Sequence, residues 1–475
     1  NFLLYSHHYL MRLKQHISGK ACYMIPSIIS QSELRLALEL QVPILGADPQ
    51  VAFSFQSKSG NKRIFSAAEV NFPPSATDLF DKASILQNLA QLIVDYPNIQ
   101  KWLLKIDNEF SGRGLAYLDV NRLKCLHPQE KEKLLRKLES ERKVKNFKKV
   151  MKERVFFELD EHGHKKIKIV SHQIYPSYSE YMQKFKECGG VVEAVPTNII
   201  SSPVVNIFIE PDGNIQFLSA QEQIFGEQFV VVGAQFPQEA VPTQALHDAA
   251  LSIGTVCYTK KILGYVSVEF VSHLVKGDLH ISGVDIKLHL KTSSLIHNLF
   301  QIIMKGKSNM KSGVYFANPS VIKNGERSLA IPNTKSTNSK TLDLNLNLPV
   351  QYQRCYIYSG LIVHPNLKMC RHGPFFKSCR KNGISFDLHK KTGTIFHLVD
   401  ILVKGMIGAI CIGNTFLESC TCLSNVIDFI WKELNNSDHG FYEIDISETN
   451  FQTISNASKK LLKHYANVAD RKSVV

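Results

Sequence analysis

Cysteine is sparse in this chain, and its spacing follows no recognisable pattern. Ten cysteines occur in 475 residues, which is too few for a scaffold held together by disulfides. The sequence contains no Cys-x-x-Cys pair and no zinc-ligand spacing. This usage excludes a disulfide-rich secreted domain and a zinc ribbon. It predicts reduced, mostly buried thiols in a cytosolic protein.

Long apolar runs are also missing. A membrane-spanning helix needs about 18 to 20 consecutive apolar residues, and the best candidate, residues 401–417, is interrupted by Lys404 and Asn414. The N-terminus does not have the charged, apolar and small-residue regions of a signal peptide. These absences predict no membrane association and a cytoplasmic location. Because the chain begins at Asn1 rather than Met, we expect it to be a fragment whose upstream part is missing.

Positive charge, in contrast, is abundant. The chain carries 56 Lys and Arg against 42 Asp and Glu, a formal net charge of +14, and its pI is about 9.1. An excess of this size favours a polyanionic partner such as a nucleotide, a nucleic acid, an acidic protein or a membrane surface. The hydrophobic share of 44% is typical of a folded globular protein. At this length we expect two or three domains.

Hydrophobic periodicity indicates α/β and α+β architecture in the N-terminal two thirds. In residues 1–50, helices at 5–16 and 32–40 alternate with short strands at 21–26 and 42–45, which predicts a partial α/β unit. Residues 51–310 are predicted to form a larger α+β domain. Its β-rich runs lie at 166–170, 191–195, 204–210, 215–218 and 264–271, and its later helices at 242–257 and 293–304.

The C-terminal third begins with a polar stretch. Residues 323–348 are rich in Asn, Ser, Thr and Lys, and we expect residues 311–350 to form a flexible insertion. Residues 351–435 are predicted to be a second α/β domain. Residues 436–475 are expected to be a polar tail with one amphipathic helix.

Residues 128–155 are dense in Lys, Arg and Glu. Leu134, Leu135 and Leu138 occur at helical spacing, which predicts a helix with one buried stripe. A solvated structural helix explains this pattern. A basic amphipathic helix that binds RNA, an acidic protein or a calmodulin-like partner is the alternative.

A glycine loop between two apolar strands is the first chemical signal. Strands at 102–106 and 115–120 flank Ser111-Gly112-Arg113-Gly114. Glycines let a loop backbone approach a ligand and turn its N–H groups toward an anion. Lys105 on the entering strand could reach the same phosphate oxygens, whereas Lys58 lies 47 residues upstream. Taken alone, the loop is more typical of a structural hairpin than of a phosphate site. Without further evidence, Lys58 and Lys62 are more typical of ordinary surface lysines than of ligand-binding residues.

The order of these motifs resembles the ATP-grasp superfamily, and most closely its carboxylate–amine (peptide) ligase branch. Leu45-Gly46, Lys58, Phe72-Pro73-Pro74 and Lys105 with its Ser-Gly-x-Gly loop occur in the same order as in that branch. The segment 383–413 is similar to the C-terminal domain of the branch. The resemblance covers roughly residues 20–430. It implies an ATP-grasp-like fold over residues 51–310, preceded by a truncated N-terminal pre-ATP-grasp α/β unit in residues 1–50.

The resemblance implies a role for each matching residue. Lys58 and Lys105 would contact ATP phosphates, with the loop residues over them. Glu193 would hold the adenine or ribose, and Glu269 and Asp285 would bind magnesium. The implied nucleotide-binding residues are therefore Lys58, Lys105, Ser111, Gly112, Gly114 and Glu193.

Departures from the branch lie after Asp285. Lys287 stands where the branch has an Asn ligand, and an ammonium group has no lone pair to give a metal. At an effective dielectric constant near 20, a +1 and a +2 charge about 4 Å apart repel by roughly 8 kcal/mol. His289 replaces the Arg expected beside the acyl phosphate, and Lys291-Thr292-Ser293-Ser294 replaces a Gly-Gly-Thr-Thr run. These changes predict a pseudoenzyme that can bind ATP, with weakened Mg²⁺ binding.

Three hypotheses follow. The first is a nucleotide-binding or scaffold module with a degraded ligase site. The second is an active ATP-dependent ligase that forms an acyl phosphate, and the third is a basic module that binds RNA or protein through residues 128–155. The whole chain also resembles eukaryotic proteins that carry IQ motifs, and this resemblance implies calmodulin binding, but through upstream segments only, since no Ile-Gln-x-x-x-Arg-Gly pattern occurs here. It further implies a male-germline or ciliary setting.

Overall fold

The computed structural model divides the chain into two compact units, Asn1–His297 and Asn298–Val475. It describes residues 2–109, 112–127, 129–130, 132, 144–226, 229–308, 315–317, 352–399, 404–435 and 449–473. Within these ranges, helices are combined with antiparallel sheets. The expected mixed α/β and α+β class is therefore confirmed.

Two helices of the first unit begin after serine residues that cap their N-termini. Ser30 forms a capping box with Glu33, and Ser57 accepts a hydrogen bond from the Gly60 amide (2.9 Å). The helices are α1 (Phe2–Tyr5), α2 (His7–Ile17), α3 (Gln31–Leu40), α4 (Pro49–Gln56), α5 (Lys58–Ala67), α6 (Lys82–Asp95), α7 (Val144–Lys166), α8 (Tyr178–Cys188) and α9 (Thr243–Thr259). Helix α10 (Thr292–Met304) begins in this unit and continues past its last residue, His297.

The first sheet has the order β1-β5-β2-β3-β4, and its paired strands are antiparallel. Its strands are β1 (Ser75–Leu79), β2 (Lys101–Ile106), β3 (Leu115–Asp119), β4 (Ile167–Ile169) and β5 (Gly190–Val195). Trp102, Leu104 and Val192 pack with residues of α6, α7 and α8 in one core cluster. The hairpin predicted around the glycine loop is confirmed as β2–β3.

The second sheet of this unit has the order β11-β10-β7-β8-β9, with β6 pairing with β10. Its strands are β6 (Ile199–Ser201), β7 (Pro203–Ile209), β8 (Ile215–Phe225), β9 (Val231–Phe236), β10 (Gly264–Val275) and β11 (Asp278–Lys287). Val266, Val268 and Phe270 pack into the core beneath α5 and α9. Because side chains alternate along a strand, Ser267 and Glu269 point to the opposite face.

The second unit contains an antiparallel sheet in the order β15-β18-β17-β16 and a small sheet in the order β12-β13-β14. Its strands are β12 (Lys307–Ser308), β13 (Tyr315–Ala317), β14 (Tyr352–Gln353), β15 (Cys355–Val363), β16 (Phe386–Asp387), β17 (Thr392–His397) and β18 (Met406–Gly413). Its helices are α11 (His372–Lys381), α12 (Phe416–Leu434) and α13 (Phe451–Ser473). Helix α13 confirms the helix expected in the tail.

The strands predicted near the N-terminus differ from the structure. Over 21–26 and 42–45 there is one isolated parallel bridge, between Met24 and Ile44. Pro26 and Pro43 lack the N–H that a longer ladder would need. The two predicted strands are therefore wrong, although the helices beside them are confirmed.

Several expectations fall on residues outside the described ranges. They are the stretch 323–348 and the leucines of residues 133–143; helix α7 covers the later part of the predicted basic helix. No helix among the described residues is long and apolar enough to cross a membrane. The predicted domain boundaries stay predictions.

Candidate functional site

Helix α5 carries two lysines into the interior of the first unit. Lys58 and Lys62 are four residues apart and therefore lie on one face of the helix. Only 4% of the Lys62 side chain and 13% of the Lys58 side chain is exposed. The alternative that these are surface lysines is therefore wrong, and both need a buried counter-charge.

Asp285 on β11 is the counter-charge of two lysines. Its Oδ2 lies 2.6 Å from Lys58 Nζ and 2.7 Å from Lys287 Nζ. Burial alone would raise the pKa of Asp285, but the Lys287 and Lys58 ammonium groups outweigh it and hold that pKa well below its usual range. Burial lowers the pKa of Lys287 to about 8, so this lysine is still mainly charged at pH 7.

Glu193 on β5 is the counter-charge of two further lysines. Its Oε1 contacts Lys105 of β2 and its Oε2 contacts Lys62. Burial opposes ionisation, but the two lysines outweigh it and lower the pKa of Glu193. The Lys62 ammonium also lies 5.5 and 5.3 Å from the ring centres of Phe65 and Phe72, within the range of a cation–π contact.

Glu269 on β10 is the third buried carboxylate. It lies directly opposite Asp285 in the antiparallel register, and its Oε1 contacts the Lys291 ammonium. Burial would raise the pKa of Glu269, but Lys291 outweighs it and lowers that pKa. The two carboxylates expected to bind magnesium are therefore adjacent, as the resemblance implies, and each contacts at least one lysine.

These residues do not fit a magnesium ion. Magnesium prefers six oxygen ligands in near-octahedral geometry, whereas Lys58, Lys287 and Lys291 already occupy oxygens of Asp285 and Glu269. In the part of the chain that the structure describes, no group of three or more His, Cys, Asp and Glu side chains could hold a metal.

The cluster does fit a polyanion. It consists of five lysines and three carboxylates, an excess of two positive charges: Lys58, Lys62, Lys105, Lys287, Lys291, Glu193, Glu269 and Asp285. We call these eight residues the lysine cluster. Ammonium groups are donors without lone pairs, which suits phosphate oxygens.

The glycine loop lies at the end of the strand that carries Lys105. Gly112 has a φ of 74°, in the left-handed region that favours glycine. A Cβ at Gly114 would lie 2.8 Å from the Cβ atoms of both Ile106 and Glu109, so this position is sterically restricted to glycine. Ser111, the remaining predicted loop residue, lies outside the described ranges.

Asp107 and Ser59 position the lysines. The Ser59 amide and hydroxyl donate to Asp107 Oδ1 and Oδ2 at 2.9 and 2.8 Å. This contact attaches the start of α5 to the end of β2, so that Lys58 and Lys105 are held on neighbouring elements. Burial raises the pKa of Asp107.

Buried hydroxyls surround Asn206, and two of them, Ser293 and Ser294, stand at the Thr-Thr positions of the branch's Gly-Gly-Thr-Thr run. The Ser293, Ser294 and Ser267 hydroxyls lie 2.9, 2.8 and 2.7 Å from Asn206 Oδ1. All four side chains are at most 1% exposed. His289 is close to the lysine cluster, and burial lowers its pKa to about 4. It is therefore neutral at pH 7 and does not supply the positive charge of the Arg whose position it occupies.

The structure thus brings together Lys58, Lys105, Glu193, Glu269 and Asp285. Their individual binding roles stay predictions. Sequence reasoning missed the contributions of two lysines and of the Ser59–Asp107 contact. One indication in the sequence pointed to Lys62 as part of the site, because Lys62 follows Lys58 by four residues and therefore lies on the same helix face. For Lys291 the sole indication was its position two residues after His289.

A separate basic cleft lies at the end of α7. A cavity of about 460 Å³ is lined by Arg122, Lys124, His162, Lys165 and Lys166. Glu158 accepts hydrogen bonds from the Lys124 and Cys125 amides (2.7 and 2.8 Å), and Lys166 Nζ lies 3.0 Å from Glu158. The turn and the helix end are therefore fixed to each other, and cations line the cleft between them.

Comparison with known proteins gives a family match. Residues 49–311 match the model of a family described as IQCH-like, ATP-grasp. IQ motif-containing protein H of Danio rerio is 27% identical over 469 residues, which is 96% of this chain and 41% of that protein. The chain thus spans less than half of the length of this relative.

Comparison with solved structures gives TM-scores below 0.5 at low sequence identity for the three that follow. Biotin carboxylase of Campylobacter jejuni in a β,γ-ATP complex gives a TM-score of 0.46 at 11% identity, covering 89% of this chain and 79% of that one. N5-carboxyaminoimidazole ribonucleotide synthetase of Thermus thermophilus gives 0.46 at 11%, covering 90% and 85%. Rhizobium etli pyruvate carboxylase gives 0.48 at 10%, covering 96% and 33%.

Proposed function

The chain belongs to the IQCH-like ATP-grasp family, and we propose that it binds ATP through the lysine cluster as a binding or scaffold module without ligase activity. One observation carries this proposal. Lysine ammonium groups contact both carboxylates that the resemblance assigns to magnesium, Asp285 and Glu269. The positive charge that a metal would supply is thus supplied by the chain itself.

Electrostatics supports binding of a triphosphate. The lysine cluster has two more positive than negative charges and is largely buried, where charge interactions are screened less than at the surface. An anion that contacts Lys58 and Lys105 would relieve the repulsion between the excess ammonium groups. Lys105 also adjoins the glycine loop, whose backbone can approach phosphate closely.

The same geometry argues against ligation. Forming an acyl phosphate requires stabilisation of the charge that develops on the transferred phosphoryl group. His289 is neutral at pH 7, and the residues near Asp285 do not fit magnesium. Lys291 and Thr292 replace the two glycines that, by the resemblance, would admit the backbone of an acceptor, and Lys291 contacts Glu269.

The test is thermal unfolding of the wild type and Lys105→Ala with ATP, with and without magnesium. One-site linkage gives about 2.7 kcal/mol of stabilisation at a hundredfold excess of ligand over Kd. We expect this shift in the wild type without magnesium and its loss in Lys105→Ala. Lys101→Ala is the matched control, because Lys101 is exposed on the same strand β2.

Two results would contradict the proposal. If millimolar ATP does not raise the unfolding temperature, the chain does not bind nucleotide and the proposal is wrong. A shift that requires magnesium, together with release of ADP in the presence of a carboxylate and an amine, would establish the active ligase instead.

A second candidate function is RNA binding at the basic cleft. Arg122, Lys124 and Lys165 lie on a rigid frame, and no ion pair of theirs is found among the described residues. Single-stranded RNA that contacts them would release counterions, so its affinity should fall as salt is raised. Arg122→Ala combined with Lys165→Ala should reduce that salt dependence in anisotropy titrations, whereas Lys105→Ala should leave it unchanged. If the slope of log affinity against log salt concentration is unchanged in the double variant, the cleft is excluded as the RNA-binding site.

Calmodulin binding and a male-germline or ciliary location are proposals drawn from the resemblance. Calmodulin binding would require IQ motifs, and this chain contains no Ile-Gln-x-x-x-Arg-Gly pattern. Pull-down of this chain with calcium-loaded calmodulin is the direct check, and we expect no retention.

A further inference from the structure

Two cysteines and a threonine meet inside the second unit. Thr394 on β17 lies directly opposite Cys411 on β18, and α12 packs against this sheet with Cys422 facing the pair. Thr394 Oγ1 lies 2.9 Å from Cys422 Sγ and 3.7 Å from Cys411 Sγ. Both thiols therefore contact the same hydroxyl group.

The two thiols differ in accessibility and acidity. Cys411 is fully buried, and burial raises its pKa well above the ordinary value. Cys422 is only partly buried. The hydrogen bond with Cys411 lowers the pKa of Cys422 to about 7, with Thr394 contributing in the same direction. Cys422 is therefore the thiol that solvent reaches and the one that ionises first.

We propose that Cys422 is a peroxide-reactive thiol and that Cys411 resolves it, so that a hydroperoxide converts the pair into an intramolecular disulfide. The Thr394 hydroxyl donates to the Cys422 thiolate and holds it beside Cys411. This site belongs to the second unit and is independent of the lysine cluster. The co-reactant is hydrogen peroxide or an organic hydroperoxide.

The chemistry balances in two steps. The Cys422 thiolate attacks one peroxide oxygen; an S–O bond forms, the O–O bond breaks, and the leaving oxygen takes the proton that Cys422 released, giving water or an alcohol. Cys411 then attacks the Cys422 sulfenic acid; the S–S bond forms, the S–O bond breaks, and hydroxide leaves as water with the Cys411 proton. Two electrons pass from the two sulfurs to the peroxide.

Cys420 provides a matched control on the same helix. It lies two residues from Cys422, is 1% exposed, and burial raises its pKa to about 12. The tryptic segment 405–432 contains all three of these cysteines, so one peptide reports on the pair and on its control. At pH 7 we expect iodoacetamide to modify Cys422 at least about tenfold faster than Cys420, because the thiolate is the nucleophile.

The decisive experiment is mass spectrometry of the whole chain after treatment with hydrogen peroxide at pH 7. We expect segment 405–432 to lose two hydrogens before the other cysteines change. Cys420 should remain a free thiol, which iodoacetamide modifies once the chain is unfolded. Cys422→Ser should abolish this loss. Cys411→Ala should leave a sulfenic acid on Cys422 that dimedone traps, and Cys420→Ser should behave as the wild type.

Three results would overturn the inference. They are a disulfide that includes Cys420, oxidation of other cysteines ahead of this pair, and equal alkylation rates at Cys422 and Cys420. The alkylation rates are measured on the wild type, so they remain informative even if a variant fails to fold. Thermal unfolding of each variant identifies that case.

Discussion

Replacing Glu193 by Gln tests whether the lysine cluster is held together by its buried charges. Glu193 is 1% exposed and contacts both Lys62 and Lys105. Removing one partner of a buried ion pair typically costs about 3–5 kcal/mol of unfolding free energy. Burial already lowers the pKa of Lys62, so that lysine can lose its proton in the variant. We therefore expect the lower end, about 3 kcal/mol.

Tryptophan fluorescence during urea unfolding measures this change. The chain has two tryptophans, and Trp102 lies opposite Ala194, next to Glu193. In a Trp431→Phe background, the signal therefore reports on the first unit alone. Glu39→Gln is the control, because its ion pair with Lys14 is about half exposed and exposed ion pairs contribute little to stability. Equal effects of the two substitutions would refute the argument.

Two pH dependences follow from other buried groups. Burial raises the pKa of Glu222 to about 7, whereas a Glu in the unfolded chain has a pKa of about 4.3. Between these two pH values the folded chain keeps a proton that the unfolded chain has released, so the free energy of unfolding falls as pH rises. Glu222→Gln should therefore stabilise the protein by about 4 kcal/mol at pH 8, at about 1.4 kcal/mol for each pH unit between the two pKa values, and leave its stability unchanged at pH 4. A difference between the urea midpoints of variant and wild type that is the same at pH 4 and pH 8 would contradict this. Burial lowers the pKa of Lys287 to about 8, so stability should rise between pH 8 and about 10, where the unfolded chain binds more protons. ATP affinity, measured by calorimetry, should fall over the same pH range. In Lys287→Met, both the rise in stability and the fall in ATP affinity should become smaller. Changes with pH as large as in the wild type would show that another group titrates.

The parts of the fold that depend on local patterns could be predicted from the sequence. The β2–β3 hairpin follows from two apolar runs around a glycine loop, and the helices α3, α9 and α10 from periodicity. The N-terminal strands could not be predicted, because a short apolar run does not say whether a partner strand can supply enough hydrogen bonds. There the prolines limit pairing to one bridge.

The candidate site was predictable only where a motif preserved its residues. Lys62 was not assigned to it, since lysine is seldom buried and a sequence does not give its exposure. The Ser59–Asp107 contact joins residues 48 positions apart, and no periodicity predicts such a pair. The register that sets Glu269 opposite Asp285 includes an irregularity after Glu269, which strand alternation alone would not place.

The bond between Lys58 and Asp285 also has a consequence for the entropy of binding. The Lys58 ammonium is bonded to Asp285 Oδ2 at 2.6 Å, and its two other N–H donors can still bond to a phosphate group. Asp285 thus fixes the position of the ammonium before any phosphate arrives. The rotamer entropy of this long side chain is lost when the chain folds, and it does not have to be lost again when the anion binds.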